Sequence, residues 1–462
     1  MPAIITKDFR IQNANQFSES FSESADTYYL AIGRPQAFAN DQAFNDGTDT
    51  SPPTPVDSVG SVDYYVYDDL MSAKKITSSN VSAVIPRRNW TTGTTYDYYR
   101  HDYGEINSAG SAIAANSGAT TLHDATFYVM NSTFDVYKCI DNNGDSASTV
   151  EPTGNKTTSV FSTGDSYKWK YMYTLTASEQ ANFMSTDFIH CSTESTDYST
   201  TAGAIENAKV TAGGSGGTNG TYTNVDIRGD GSSGKATVVV SSNAVTSVTI
   251  TTAGSGYTFA SVLASDIGSV SGADIDFIIS PPGGHATDVI AELGGFFVMM
   301  NVDFATSESG EFNTSNDFRR IALLRNPTDS TTGSTATAST LDATKSITFS
   351  GTPGSFQADE KITQASTGAV GFVVDFNSTT KVLRYIQPQF TNQGVDSSQN
   401  LTAFSGTNTV TGATSSATGT PSSHDVTPEL TADTGDILYI ENRKPISRAS
   451  DQTENVKLIV EF

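Results

Sequence analysis

Cysteine is almost absent from this sequence of 462 residues. Its two cysteines, Cys139 and Cys191, are too few for the disulfide framework that stabilises small secreted domains. A chain of this length can bury enough apolar surface to fold without such cross-links. We therefore expect two reduced thiols, which fits assembly in a cytoplasm, while a single Cys139–Cys191 bridge stays open as the alternative.

Basic residues are also scarce. Lys and Arg together number 26 against 50 Asp and Glu, which gives a formal net charge of -24 and a pI near 4.4. Phosphate backbones and anionic lipid surfaces both require clustered positive charge. The composition therefore argues against nucleic acid and against a membrane surface as partners. It favours solubility and association through complementary patches.

Long apolar runs are missing. The longest purely apolar run covers residues 296–300, whereas a membrane-spanning helix needs about 20 such residues. Near the start, Lys7 is followed by no apolar stretch, so the pattern of a signal peptide is absent. We expect a protein that is neither exported nor inserted into a membrane.

No residue pattern is typical of catalysis or of cofactor or metal binding. The five histidines are far apart, and His190-Cys191 is the nearest thing to a metal pair, but two ligands alone are a weak signal and favour a buried structural pair. The segment Asp141–Asp145 resembles the start of a calcium loop, but Glu151 is one position early for the bidentate ligand. A tight Asn-Gly turn between strands is the alternative. We predict no enzyme, no cofactor and no metal.

The predicted fold class is mainly β, with a minor α+β character. We expect an antiparallel β-sandwich or barrel-like core in several domains, with a few short helices. Runs rich in β-branched and aromatic residues predict strands, and Ala177–Phe183, capped by Ser178 or Thr176, predicts a helix. A short helix is also predicted from Asp68 through Lys75. The predicted strands are Asp26–Ile32, Val62–Tyr67, Ala125–Met130, Phe134–Ile140, Tyr167–Leu175 and Val456–Phe462.

Two stretches rich in Gly, Ser and Thr interrupt this globular texture. The first, at about 205–281, contains strand patterns at Ala236–Val240 and Val245–Ile250. A phosphate-binding loop is the alternative for its glycines, although no Lys-Ser/Thr pair ends the run. The second stretch carries a strand–turn–strand pattern at Glu360–Val374, and disorder is its alternative. We predict core segments at 1–204, 282–330 and 426–462, with small β modules inserted at 205–281 and 331–425.

Two basic and aromatic clusters are candidate protein–protein interfaces. One contains Arg87, Arg88 and Trp90, and the other contains Glu441, Asn442 and Arg443. Arg and Trp are enriched at interface hot spots, although internal pairing of the arginines and a core position for Trp90 is the alternative. Pro86 should hold the chain extended, so that residues 87 and 89 face one way and residues 88 and 90 the other. The Tyr-rich stretch 96–103 is a sugar-binding strip, a strand edge or a subunit contact.

At these clusters the chain resembles the baseplate wedge subunit encoded by gene eight in T-even-type contractile-tailed phages. The resemblance covers the globular segments in order and skips both Gly/Ser/Thr-rich stretches. The motifs that carry it are YLAIGRP (29–35), AVIPRRNW (83–90), VYKCIDN (136–142), SYKWKYMYTL (166–175), ELGGFFVMMNV (292–302), DFRRIALLRNP (317–327), ILYIENRKPIS (437–447) and DQTENVKLIVEF (451–462).

The resemblance implies a structural protein of the virion. Family members are β-rich homodimers that contact other wedge proteins around the tail hub and transmit the rearrangement that triggers contraction. They have no enzymatic activity and assemble in the host cytoplasm. A tail-associated carbohydrate-binding adhesin or depolymerase is the alternative function. Exposed aromatic residues beside two facing carboxylates would favour it.

Overall fold

The computed structural model describes residues 4–38, 47–57, 65–107, 110–154, 156, 159–192, 201–308, 312–388, 394–398 and 400–462. The chain divides into two compact units. Unit 1 comprises residues 1–16, 82–299 and 459–462, and unit 2 comprises residues 17–81 and 300–458. The unit boundaries fall inside one helix and three strands, so both units are built from segments distant in sequence.

Four short α-helices lie among the described residues, and none of them is long and apolar enough to cross a membrane. The third begins with a capping box, in which Thr176 accepts from the backbone N–H of Glu179 and the Glu179 carboxylate accepts from the backbone N–H of Thr176. The helices are α1 (Lys7–Ser20), α2 (Tyr65–Asp68), α3 (Ala177–Phe183) and α4 (Val289–Leu293).

Unit 1 is built around an antiparallel sheet of four strands in the order β4-β5-β7-β6. Its core contains Trp169 and several tyrosines, all buried. A second pairing joins β3 to β8. The strands are β3 (Val81–Pro86), β4 (Tyr128–Met130), β5 (Asp135–Asp141), β6 (Phe161–Ser162), β7 (Lys168–Thr174) and β8 (Phe188–His190).

Residues 205–279 of unit 1 have a separate apolar core. A two-stranded ribbon of β9 and β15 leads into a three-stranded sheet in the order β10-β12-β13. In β12 every second side chain is buried, as in a strand that covers one face of a core. The strands are β9 (Ile205–Ser215), β10 (Gly220–Asp226), β11 (Arg228–Gly229), β12 (Lys235–Ser241), β13 (Ala244–Thr252), β14 (Ala260–Ser261) and β15 (Ser271–Ile279).

Unit 2 contains a five-stranded antiparallel sheet in the order β20-β2-β1-β17-β27. The central strand β1 is buried along its whole length, which explains its unbroken apolar run. The strands of this sheet are β1 (Tyr28–Gly33), β2 (Leu70–Ile76), β17 (Asp317–Arg325), β20 (Thr340–Asp342) and β27 (Asp436–Ser447). A separate antiparallel pair is formed by β18 (Thr328–Asp329) and β19 (Ser334–Thr335). Strands β16 (Phe297–Ala305) and β28 (Thr453–Glu461) cross the unit boundaries.

A closed barrel of six antiparallel strands completes unit 2, with the order β21-β24-β23-β22-β25-β26. Its interior is apolar and includes Phe349, Tyr385 and Phe404. Closure leaves no open sheet edge. The strands are β21 (Lys345–Ser350), β22 (Lys361–Gln364), β23 (Ala369–Asn377), β24 (Val382–Ile386), β25 (Val410–Gly412) and β26 (Thr418–Asp425).

The predicted fold class is confirmed: the protein is mainly β, antiparallel and partly barrel-like, with short helices. The helix predicted from Asp68 is wrong, since β2 occupies Leu70–Ile76. Its helix-favouring composition is overridden by pairing with β1 on one side and β20 on the other. The strand predicted at Val62–Tyr67 is wrong for residues 65–67, which lie in α2, and residues 62–64 lie outside the described part.

Candidate interaction sites

The Arg87–Trp90 segment follows β3 and is held by internal contacts of unit 1. Arg87 donates to the side-chain oxygen of Asn89 at 3.0 Å and to the backbone carbonyl of Ser185 at 2.9 Å. The contact between the side chains of Arg87 and Asn89 fits the predicted alternation of faces.

Arg88 makes a different set of contacts. Its guanidinium donates to the backbone carbonyls of Ala125 and, at 3.3 Å, of His123, and it lies 4.6 Å from the centre of the Tyr128 ring. Carbonyl groups and an aromatic face satisfy the donors without neutralising the charge. Among the described residues, neither Arg87 nor Arg88 has a carboxylate partner. Both side chains are only half-buried, so two positive charges remain available in an acidic chain.

Trp90 is half-buried and packs against the core of unit 1. Its ring N–H donates to the hydroxyl of Ser148 at 3.0 Å, and its backbone N–H donates to the carbonyl of Met130 at 2.8 Å. These contacts agree with the alternative interpretation, in which part of the Trp90 side chain lies in the core. The remaining exposed part is the only part available to a partner.

The second cluster lies on β27, an edge strand of the five-stranded sheet in unit 2. Asn442 is held from both sides, because its oxygen accepts from Arg320 at 3.1 Å and its amide donates to the carbonyl of Pro53 at 3.1 Å. Glu441 accepts from the Tyr439 hydroxyl at 3.1 Å and lies 3.5 Å from Arg443. Arg443 and Glu441 remain 45% and 36% exposed, so this pair is the accessible part of the cluster.

The Tyr-rich stretch is not a sugar-binding strip. Tyr96, Tyr98 and Tyr99 are all less than 10% exposed and belong to the core of unit 1, and the half-buried Tyr103 packs against that core. The stretch is irregular chain, so it is not a strand edge either. The exposed aromatic platform that would favour an adhesin is therefore not formed by these residues.

The candidate metal ligands of the sequence are used otherwise. Cys139 and Cys191 are free and buried, and burial raises the pKa of both thiols. The segment Asp141–Asp145 forms a turn in which Asn143 and Gly144 have positive φ. In the part of the chain that the structure describes, no group of three or more His, Cys, Asp or Glu side chains could hold a metal ion.

His190 joins three elements that are separated in sequence. Its Nδ1 lies 2.6 Å from the Ser82 hydroxyl on β3, and its Nε2 lies 3.2 Å from the Glu179 carboxylate on α3. Burial lowers the pKa of His190, and the charge of Glu179 acts in the opposite direction. The hydroxyl faces Nδ1, whereas in serine hydrolases it faces Nε2. Ser82 also donates to the carbonyl of Ala83 at 3.0 Å. The contacts of His190 with Ser82 and Glu179 therefore connect α3 to strands β3 and β8.

A buried charge network is the main site that sequence reasoning missed. Lys138 on β5 is fully buried, and its ammonium lies 2.5 Å from the Glu292 carboxylate on α4 and 3.4 Å from Glu206 on β9. Lys170 on β7 contacts Glu206 at 2.8 Å. His285 lies 3.3 Å from Glu292 and 2.8 Å from the carbonyl of Tyr171. The five ionisable residues, Lys138, Lys170, Glu206, His285 and Glu292, are named the Lys138 network.

Opposing effects set the protonation of the Lys138 network. Burial would raise the pKa of Glu292, but the positive charge of Lys138 and the hydrogen bond with His285 outweigh it, so the pKa lies well below its usual range. Burial would also raise the pKa of Glu206, but the positive charges of Lys138 and Lys170 outweigh it, so the pKa of Glu206 is lowered too. The carboxylates therefore stay ionised inside the protein because cations accompany them.

Comparison with known proteins gives two matches. The family described as Bacteriophage T4, Gp8 matches residues 3–150 and 389–462. The curated protein named Baseplate wedge protein gp8 from Enterobacteria phage T4 is 26% identical over 215 residues, which cover 40% of this chain and 60% of that relative. The chain thus matches about three fifths of the relative's length.

These matches confirm the resemblance found from the motifs. The matched ranges contain YLAIGRP, AVIPRRNW, VYKCIDN and the C-terminal motifs. The motifs at 166–175, 292–302 and 317–327 lie outside them. Both clusters of candidate interface residues lie inside.

Proposed function

We propose that this chain is a structural component of a phage tail baseplate and forms part of its wedge. One observation carries the proposal: the gp8 family matches both ends of the chain, and a relative with a baseplate name aligns with it. Burial of Tyr96, Tyr98 and Tyr99 removes one of the two features that favoured an adhesin, the other being the β modules. In this proposal the chain has no enzymatic role, occupies the tail baseplate of the virion and assembles in the host cytoplasm.

The partners in this proposal are other baseplate wedge proteins and a second copy of the chain. Arg87 and Arg88 provide the chemistry for an acidic partner, because their charges are bonded to neutral carbonyls and not to carboxylates. On β27, the exposed pair Glu441 and Arg443 provides one charge of each sign. Such a pair suits a self-complementary contact, in which each group meets the opposite one of the other copy.

Co-assembly tests the proposal. The chain is expressed with the other wedge proteins of its phage, and the complexes are separated by size and imaged. We expect a complex that contains this chain, in two copies per wedge. Purified chain that remains monomeric and enters no complex would refute both partners.

Single substitutions distinguish a role of Arg87 and Arg88 at an interface from a role in supporting the fold of unit 1. Arg87→Ala and Arg88→Ala each remove a half-buried charge, whereas Arg87→Lys and Arg88→Lys retain it. If the charge meets an acidic partner, the alanine variants lose incorporation by about tenfold or more and the lysine variants retain part of it. Arg228→Ala is the matched control, since Arg228 is 51% exposed and pairs with Asp266 at 3.4 Å. Equal losses of melting temperature and incorporation would assign Arg87 and Arg88 to internal support.

We further propose that residues 205–281 and 331–425 are inserted modules. The first has its own apolar core, and the barrel lies within the second. However, β20 pairs with β2 of the five-stranded sheet, and β9 and β15 bear side chains that contact residues outside the module. Lys209 lies 4.3 Å from the Tyr98 ring, and Asp276 pairs with Arg100.

Excision at two sets of boundaries tests the modules. Replacing residues 216–270 by a short turn keeps the ribbon, and replacing 345–425 keeps β20. We expect both variants to fold, since loop closure costs little additional entropy. Replacing 207–281 or 332–424 removes the ribbon or β20 and should lower stability further. Aggregation of the 216–270 and 345–425 variants would show that the modules belong to the core.

A further inference from the structure

A mainly apolar cavity of about 640 Å³ lies within unit 1, beside the N-terminal turn of α1. Its wall includes the apolar side chains of Tyr99, Leu122, Ile279, Pro281 and Pro282. Cavities of about 300–1,000 Å³ hold drug-sized molecules, so this one has room for more than one side chain. It is named the α1 cavity.

The charged groups around the α1 cavity do not select a charged occupant. The carboxylate of Glu292 lines it, but this group is already compensated within the Lys138 network. The rim carries groups of both signs that remain exposed to solvent, namely Lys7, Asp8, His101 and Asp288. An apolar group therefore suits the cavity, because it needs neither a counter-charge nor a hydrogen bond from the wall.

Exposed apolar side chains continue from the rim of the α1 cavity along the surface. Ile4, Ile5 and Phe9 are 85%, 69% and 56% exposed, and in the sequence they flank Lys7 and Asp8 at the rim. We name these three residues the α1 ridge. Clustered exposed apolar side chains mark a contact surface. A small molecule inside the cavity would leave the ridge in water, whereas a segment of another protein can cover both.

The α1 cavity also adjoins the surface around Arg88. Leu122 in its wall is followed by His123, whose backbone carbonyl accepts from the Arg88 guanidinium at 3.3 Å. Burial lowers the pKa of His123 to about 4, and the positive charges of Lys7 and Arg88 act in the same direction. Both cations therefore lie near the same histidine. The surface beside the cavity suits a carboxylate of a partner, while the cavity itself suits an apolar side chain.

These neighbouring surfaces define the chemistry of one partner. We propose that the α1 cavity and the α1 ridge receive a segment of another baseplate wedge protein, which inserts apolar side chains and places an Asp or Glu beside Arg88. This inference rests on the function proposed above and specifies the site of that contact. The contact with a second copy is proposed for β27 in unit 2, which leaves this surface of unit 1 for a different protein.

Two substitutions test the site by different means. Ile5→Ser removes an apolar side chain of the ridge, and its control Ile106→Ser makes the same change in unit 1 at a side chain that is 68% exposed. Ala202→Trp fills the cavity from an exposed position in its lining, and its control is Ala114→Trp, at an exposed alanine outside the lining. With the wedge proteins co-expressed, Ile5→Ser and Ala202→Trp should each lose incorporation by about tenfold at an unchanged urea midpoint. Both controls should assemble like the wild type.

Photo-cross-linking on the full chain identifies the occupant. A photoreactive p-benzoylphenylalanine at position 9 should cross-link to a wedge protein other than this chain, and the same probe at position 106 should not. A cross-link from position 9 only to a second copy, or no cross-link in the assembled complex, would overturn the proposal.

The incorporation assay separates failure of the site from failure of the proposed function. If the wild type enters the wedge complex and Ile5→Ser and Ala202→Trp enter it equally well, the site is refuted and the proposed function stands. Equal losses of urea midpoint and incorporation in both variants would assign this surface to the fold of unit 1 and also refute the site. If the wild type enters no complex, the proposed function and the site are both refuted.

Discussion

Replacing Lys138 by methionine should destabilise unit 1 strongly. Methionine retains the length of the side chain, so the change removes the charge with little change in volume. Lys138 is fully buried between the carboxylates of Glu292 and Glu206, and its loss leaves both with reduced compensation. Breaking a buried ion pair by removing one partner costs about 3–5 kcal/mol. At about 2–4 °C per kcal/mol, this corresponds to a melting temperature about 6–20 °C lower.

Tryptophan fluorescence during urea unfolding measures the loss of stability in unit 1, where the substitution lies. The only two tryptophans of the chain, Trp90 and Trp169, both lie in unit 1. Lys235→Met is the matched control, because Lys235 also lies in unit 1 and pairs with Asp226, and the two side chains are 36% and 53% exposed. An ion pair at such a position contributes only about 0–1 kcal/mol.

A double-substitution cycle with Glu292→Gln separates the pairing from other effects. If the two charges stabilise each other, the variant with both substitutions loses less than the sum of the single losses. Equal stability of Lys138→Met and the wild type, or strict additivity in the cycle, would refute the pairing argument.

The Lys138→Met substitution should also change how the stability of the protein responds to acid. The folded-state pKa of Glu292 is lowered from 4.5, so its contribution to stability is complete above that value and is lost as the pH falls through the folded-state pKa. Between pH 7 and pH 3 the wild type should therefore lose stability. Lys138→Met should show a smaller loss over this range, because the main cause of the lowered pKa is gone. Parallel acid titrations of both proteins would contradict this.

The remaining predictions concern single positions in unit 1. Gly294→Ala should cost about 1–3 kcal/mol more than Gly93→Ala, since both glycines have positive φ but the added methyl group would lie 2.6 Å from a histidine ring only at Gly294. Equal unfolding curves would contradict it. Cys139 and Cys191 should resist a thiol reagent in the native protein and react after unfolding; rapid native labelling would show that they are accessible. Thr176→Ala should cost about 1 kcal/mol by loss of the helix cap, with no change expected to refute the role of the cap.

Much of the fold was predictable from local patterns. The apolar run of β1, the alternation in β12 and the capping box of α3 each specify one type of element. β2 was not predictable in this way, because residues such as Leu70, Lys74 and Lys75 favour a helix and only pairing on both sides makes a strand. Such pairing depends on residues far along the chain, which local patterns do not contain.

The candidate sites were predictable only in part. The motif around Arg87 identified a segment with unneutralised charge, but its neutral carbonyl partners could not be foreseen. Lys138 did leave a signal: a single lysine inside the apolar strand V-Y-K-C-I requires a buried carboxylate. Its partner Glu292 lies 154 positions away, so the sequence could not identify it.

The ribbon of β9 and β15 has a consequence for the gene. Its strands pair with Ile205 opposite Ile279, so the chain enters and leaves residues 205–279 at adjacent points. We expect that recombination could exchange this stretch of coding sequence between related genes without disturbing the flanking strands. Compatibility would depend on the residues that contact the rest of unit 1, among them Lys209 and Asp276, and above all on Glu206, because its carboxylate lies between the buried ammonium groups of Lys138 and Lys170. A chimera whose incoming stretch lacks an acidic residue at position 206 should unfold at a lower urea concentration than one that has it. Equal unfolding midpoints would refute the requirement for an acidic residue at this position.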